Sequence, residues 1–370
     1  MRLIMKLIYI LLLITFSTFD VWGQQIDLLT TLQDSIKETS GLIYLNNKLI
    51  THNDSGGGPF LFEIDSVSGN VTRKVVVSKA TNIDWEDLCC DDTYIYIADF
   101  GNNNGSRTDL KIYRLLISDY LTAINDTVIV DTINFHYSDQ TDFDPGPYST
   151  NFDAEALISY NDSLYIFTKN WGNNWTNIYA LPKTPGTYEI KKTDSVNSNG
   201  LVTGATFISE SNTILLSGYL NIFPFIIKIS DFSLSNFSGG KIERFPIGIP
   251  SGSSTQIEAI TTVARNQCYI TAEENFTGNA ALYKLNTDNL LGFDSIDVNT
   301  NIIYPNPANN VVNINYSNLS VVEIYDLRGA LQKTSTNEQI YISDLSKGIY
   351  LVVIKNIEGE KVDTKKLIIN

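Results

Sequence analysis

The sequence predicts an all-β chain: a five-bladed β-propeller, with six blades as the alternative, followed by a small Ig-like β-sandwich. Three observations predict it. Residues 25–295 consist of short Val/Ile/Tyr/Phe runs broken by Asn, Asp, Gly and Ser, the texture of strands joined by tight turns. That stretch repeats itself at about the length of one propeller blade. At Ile303-Tyr-Pro-Asn-Pro-Ala308 a stiff turn then opens a new series of β runs with a different pattern.

Five segments share a small or acidic entry, an apolar strand, a polar turn, a second strand, an Asn- or Gly-rich loop and a third strand. They are 39–45, 48–54 and 59–65; 84–88, 94–99 and 110–114; 153–157, 163–169 and 177–181; 202–207, 213–219 and 225–229; and 256–260, 267–273 and 281–285. The apolar residue after each entry is Leu42, Leu88, Leu157, Phe207 and Ile260, at intervals of 46, 69, 50 and 53 residues. The long interval carries an insertion over 119–150. Fourth strands are predicted at 71–77, 128–136, 188–192 and 241–245, and the fifth unit lacks one. The run 26–32, ahead of the first unit, is available to pair there and remove an open edge.

The last seventy residues read as strands at 311–316, 321–326, 329–333, 339–342, 348–355 and 361–369, an antiparallel sandwich by periodicity. At the other end, Arg2 and Lys6 precede a ten-residue apolar run, Leu7 to Phe16, and a polar stretch closing on Val21-Trp22-Gly23. That order predicts a signal peptide over 1–23, with Gln24 as the mature N-terminus. Ten residues fall well short of the roughly 20 that span a bilayer, and no later stretch is long enough, so no transmembrane segment is expected. The first cysteine is Cys89, which argues against a lipid anchor near the cleavage point. The predicted organisation is therefore 1–23 leader, 24–295 propeller and 296–370 terminal domain.

A formal net charge of −15 argues against a nucleic-acid partner and suits the binding of cations. Of the three cysteines, Cys89 and Cys90 are neighbours that point to opposite faces of a strand. Small buried thiols are expected, although a bond from one of them to Cys268 is geometrically open.

In a propeller blade the innermost strand runs from one face to the other and the second returns, so starts of first strands and ends of second strands share a face. Glu86, Glu155 and Glu258 hold the same repeat position, with Asp84 and Asp153 two residues earlier in their units. Second strands end in Asp54, Asp99, Lys169, Tyr219 and Glu273. These groups are expected to converge on one mouth of the central channel. Carboxylates gathered in this way repel one another unless a cation or a basic partner compensates or some stay protonated. Ca²⁺ fits such an irregular all-oxygen set, as metal ligands Glu86, Glu155, Glu258, Asp84 and Asp153. Two His and no Cys cluster argue against zinc. The alternative is that the carboxylates staple neighbouring blades by accepting backbone N–H groups. Arg107 and Lys169 are candidate anion contacts, and Trp171 and Trp175, on long polar loops, are candidate platforms for a sugar. The glycines at 56–58 lack the following Lys-Ser/Thr of a phosphate loop, and with only His52 and His136 a Ser-His-Asp apparatus is unsupported. The expected activities are a Ca²⁺-dependent hydrolase of phosphoesters or glycans, or a non-catalytic surface module that binds glycan or protein.

Four motifs in order, Tyr304-Pro-Asn-Pro307, Glu323-Ile-Tyr-Asp-Leu-Arg-Gly329, Leu345-Ser-Lys-Gly-Ile-Tyr350 and Lys366-Leu-Ile-Ile369, resemble the C-terminal sorting domain of type IX secretion substrates. The resemblance implies the type IX secretion machinery as partner, passage through the periplasm and the outer membrane, removal of the tail, and release or attachment at the cell surface. His52-Asn-Asp-Ser-Gly56, Asp84-Trp-Glu-Asp87, Asp99-Phe-Gly-Asn-Asn103, Ile112-Tyr-Arg114 and Asp153-Ala-Glu-Ala-Leu157 are similar to an uncharacterised group of secreted bacterial propellers. Asn102 stands where that group has an acid.

Overall fold

The computed structural model describes residues 24–250, 252–264, 266–291, 303–314, 319–326, 328–356 and 361–370. The leader predicted over 1–23 lies outside the described residues. The chain forms two compact units, 1–291 and 292–370.

The first unit is built of five antiparallel strand sets. The first comprises Thr39–Leu45, Lys48–Asn53, Phe60–Ile64 and Val71–Ser78; the second, Trp85–Cys90, Tyr94–Asp99, Lys111–Leu116 and Asp131–Tyr137; the third, Ala154–Tyr160, Ser163–Thr168, Thr176–Pro182 and Lys192–Val196. The fourth comprises Leu201–Ile208, Thr213–Leu220, Phe223–Ser230 and Lys241–Gly248; the fifth, Ile257–Ala264, Gln267–Ala272 and Ala281–Asn286, completed by the N-terminal strand Gln24–Thr31. The first strand of each set lies against the first strand of the next, and Ile257–Ala264 lies back against Thr39–Leu45.

Packing follows from alternation. In the first set Ile43, Ile50, Leu61 and Val75 pack toward Trp85, Leu88 and Ile97 of the second, while Leu42, Leu49, Phe62 and Ile64 pack toward Ala259 and Leu282 of the fifth. Both faces of each sheet are therefore apolar, and side chains two residues apart share a face. Corresponding clusters lie between the second and third, third and fourth, and fourth and fifth sets. Cys89 and Cys268 are buried in different clusters, and all three thiols are free.

Two predicted outer strands need correction, and the N-terminal strand makes a pairing beyond the expected one. The run read as 128–136 is cut at Val130: Thr127–Ile129 pairs in parallel with Val71–Ser78 of the first set, and Asp131–Tyr137 stays in the second. The run read as 188–192 is cut at Lys191: Gly186–Ile190 pairs in parallel with Asp131–Tyr137, and Lys192–Val196 is the outer strand of the third set. Gln24 and Gln25 likewise pair in parallel with Ile247 and Gly248, joining the fourth and fifth sets into one eight-stranded sheet. Each exchange laces adjacent sheets through a few backbone hydrogen bonds, which hydrophobic periodicity does not encode. In the fourth repeat the residue equivalent to Leu88 is Ala205, two positions before Phe207. Phe207 instead packs edge-on against Tyr160 of the third set.

At the centre stands Asp87, fully buried. Its carboxylate accepts the backbone N–H of Leu88 at 2.8 Å, of Leu157 at 2.7 Å in the third set, and of Ala205 in the fourth. The residues at the same repeat position in the other sets are Gly41, Ala156, Gly204 and Ala259, which leave room for it. A side chain at Gly41 would run into the backbone of Asp87 and Leu88 and into His52. One acid and four small residues thus close the middle of the ring.

The second unit has two sheets, Ile303–Tyr304 with Val311–Ile314 and Gln339–Tyr341, and Leu331–Ser335 with Leu319–Asp326, Gly348–Asn356 and Lys361–Ile369. They share a core that includes Val312, Ile324, Ile340, Val352 and Leu367. Asn306 clasps the last strand, donating to Lys366 O at 2.6 Å and accepting from Ile368 N at 2.9 Å. Asp326 accepts the N–H groups of Arg328 and Ala330, holding a turn in which Gly329 takes a φ of 81°.

Candidate functional site

Every inner strand of the first unit is irregular at one place near its start. Pairing with the second strand skips Glu86 between Trp85 and Asp87, Glu155 between Ala154 and Ala156, Thr203 between Val202 and Gly204, and Glu258 between Ile257 and Ala259. In the first set the shift falls between Thr39 and Leu42, at Ser40. A bulge inserts one residue that the partner strand does not match and re-aims its side chain. Two of the five bulged residues are hydroxyls that donate to the following set, Ser40 to Glu86 O at 2.6 Å and Thr203 to Ile257 O at 2.7 Å. The other three are Glu86, Glu155 and Glu258, 2–4% exposed.

These glutamates, with Ser40, line a cavity of about 300 Å³. Asp54, Lys169, Tyr219 and Glu273, from the ends of second strands, line it too, and Trp171, Tyr148 and Asn103 come from loops. Asp84 and Asp153 stand beside it. One oxygen each from Asp54, Asp84 and Glu86, and again from Glu86, Asp153 and Glu155, lie within 4.8 Å of one another. Gly101 closes over Glu86 and Asp84, and any side chain there would collide with both carboxylates.

Three predicted residues are elsewhere. Asp99 is fully buried, accepting from Arg107 at 2.9 Å and from Asp84 N at 3.2 Å. Arg107 also donates to Gly101 O and Asp109, so its guanidinium is engaged in holding its own loop. Trp175 is 39% exposed and does not line the cavity. Trp171 is fixed by donating its indole N–H to Asp153 at 2.7 Å, and Tyr148 packs against it at 4.8 Å. Tyr148, Asn103, Ser40 and Gln256 were not singled out from the sequence. Tyr148 belongs to the 119–150 insertion, whose backbone bonds to Asn103 and Asn104 draw it to the mouth. Ser40 was findable, since it occupies the aligned position of the three glutamates.

Two carboxylates 4.8 Å apart repel by about 3–4 kcal/mol at an effective dielectric near 20. Burial, with Asp84 and Glu273 nearby, pushes Asp54 up to about 8. Burial also raises Glu258 to about 8 and Asp153 to about 6, in both cases against the pull of Lys169. Glu86 and Glu155 are raised well above the usual range, first by burial and then by neighbouring acids. Lys169 meets Glu155 at 3.0 Å and lies 5.2 Å from the Trp171 ring and 5.5 Å from the Tyr219 ring. Burial opposes its charge, but Glu155, Tyr219 and Glu258 hold its ammonium charged. His52, beneath the mouth, is pushed down to about 4 by burial; its Nδ1 is 2.9 Å from Asn53 O.

These shifts predict the pH dependence of stability without added cation. Asp54 and Glu258 have folded values near 8 against unfolded values of 3.8 and 4.5. Between pH 6.5 and 8.5 the folded chain holds protons that the unfolded chain has released, so raising the pH favours unfolding. His52 works in the opposite sense, but only between about 4 and 6.5. The thermal midpoint in EDTA should therefore fall from pH 6.5 to 8.5; a flat or rising midpoint would contradict the arrangement.

Residues 302–370 match the family described as the secretion system C-terminal sorting domain. The chain is thus an exported protein, secreted or displayed at the cell surface, whose sorting domain is recognised by the type IX secretion machinery. Among the described residues no helix is long and apolar enough to cross a membrane. The chain is 38% identical over 68 residues to Beta-agarase D of Zobellia galactanivorans, a match to the sorting region that covers 18% of this chain and 14% of that protein. The chain therefore spans about a seventh of that relative's length. Among solved structures it is similar to a PQQ-bound aldose sugar dehydrogenase from Streptomyces coelicolor (11% identity, 70% of this chain and 97% of that one, TM-score 0.41). It is also similar to a GH32 beta-fructofuranosidase from Bombyx mori (10% identity, 94% and 87%, TM-score 0.38). At these levels neither likeness bears on activity.

Proposed function

We propose that the chain is an exported five-bladed propeller, its leader over 1–23 removed and its tail an Ig-like sandwich, that binds Ca²⁺ at the acidic mouth and hydrolyses a phosphoester or glycan there. The observation that carries this reading is the convergence of Glu86, Glu155 and Asp153 with Asp84 and Asp54, two sets of three carboxylates, each set within 4.8 Å, at one cavity. Oxygen-only donors in irregular array suit Ca²⁺. A bound divalent cation stabilises charge on a reacting oxygen and lowers the pKa of bound water. The chain's own residues would orient the substrate: Lys169 faces an anionic group, and the Tyr148–Trp171 pair offers an apolar wall. A second reading, a non-catalytic module for glycan or protein, is favoured by Tyr148, which is 65% exposed at the rim.

Millimolar Ca²⁺ should raise the thermal midpoint by several degrees, and Glu155→Gln should abolish most of that rise. No shift in the parent protein would remove the cation from the reading. A panel of phosphoesters and aryl glycosides should then show turnover that Glu258→Gln lowers at least 100-fold. Cation binding without turnover would favour the binding module.

A further inference from the structure

We propose that the mouth holds a pair of divalent cations bridged by the Glu86 carboxylate, with Asp54 and Asp84 completing one site and Asp153 and Glu155 the other. This rests on the cation reading above and goes beyond it in number, geometry and the role of one residue.

Glu86 is the member shared by the two carboxylate sets. A carboxylate has two oxygens, so one residue can serve two ions at once, and cations joined in this way stand about 3.5–4 Å apart. Glu86 is 3% exposed and lines the cavity itself. The outer members are held differently. Asp153 has both oxygens oriented, by the N–H of Asn102 and the indole N–H of Trp171, each of which leaves a lone pair free. Glu155 gives one oxygen to Lys169 and keeps the other.

An independent observation points into the same space. Glu258, 4% exposed, lines the cavity and has an Oε2 with no hydrogen-bond partner. A buried, unpartnered carboxylate oxygen calls for a positive neighbour. Charge sets the number. Asp54, Asp84, Glu86, Asp153, Glu155, Glu258 and Glu273 bring seven negative charges when ionised, and among the described residues Lys169 is the cation lining the cavity. One divalent ion leaves about four charges of the excess in place, whereas two leave about two.

Isothermal titration of the full chain with Ca²⁺, repeated with Mn²⁺ and followed by electron paramagnetic resonance, tests the pair. The expected result is two ions per chain, with a spin-coupled Mn²⁺ spectrum. Glu86→Gln should weaken both ions at least tenfold, while Asp54→Asn should weaken one only. Melting of each variant in EDTA reports whether it is folded, and Asp54→Asn keeps the test valid if Glu86→Gln is not. One ion per chain, uncoupled Mn²⁺, or loss of a single ion in a folded Glu86→Gln would overturn the bridge and leave the single-cation reading standing. No binding at all would overturn both.

Discussion

Replacing Asp87 with Ala should lower the thermal unfolding midpoint by on the order of 10 °C, the largest stability effect expected from one substitution in the first unit. Its carboxylate accepts backbone N–H groups of Leu88, Leu157 and Ala205, from three of the five strand sets, at a site with no access to water. An unpaired buried donor costs about 1–3 kcal/mol, and removing a buried charge returns part of that, so a net loss of roughly 3–5 kcal/mol is expected. In a domain of this size each kcal/mol moves the midpoint by about 2–4 °C. Asp87→Asn keeps the volume but turns amide hydrogens against backbone donors, so it should recover less than half of the loss. Thermal melting in EDTA separates this from any cation effect. An Ala variant within 2 °C of the parent would show that the three bonds do not hold the ring.

Removal of residues from Tyr304 onward should stop delivery to the outside altogether and leave the product in the periplasm. The sorting domain lies within 302–370, and the described residues from Ile303 to Ile369 have a hydrophobic core of their own. The truncated protein should keep a cooperative melt of its first unit while its location changes. Cell fractionation and surface protease accessibility read the two outcomes apart. Normal surface delivery of the truncated chain would contradict the assignment of the tail.

Much of this arrangement was legible from repeat spacing, and the exceptions have identifiable causes. Glu86, Glu155 and Glu258 could be aligned because a bulge at a fixed place in each repeat needs a residue that tolerates leaving the ladder. Asp87 was passed over as one more polar residue in an acidic run. Its signal was a contrast between repeats, an acid where the others have Gly41, Ala156, Gly204 and Ala259, and that is visible only after the fourth repeat is aligned on Ala205 rather than Phe207. Arg107 and Trp175 were misplaced because loop residues were assigned by which face they leave from. Side-chain partners such as Asp99 and Asp109 decide where such residues end. The alternative of carboxylates stapling neighbouring sheets describes Asp87 and one oxygen of Asp153, and does not describe Glu258 Oε2.

The strand that completes the fifth set is the first of the described strands to be synthesised. Gln24–Thr31 finds its antiparallel partner in Ala281–Asn286, so roughly 250 residues must follow before the two can meet. At about 5–20 residues per second that is some 12–50 s of synthesis during which the last sheet lacks its outer strand. Pairing across so long a loop is slow for entropic reasons as well. Closure is therefore a late event in the life of the chain, and until it occurs the two ends of the first unit remain separate.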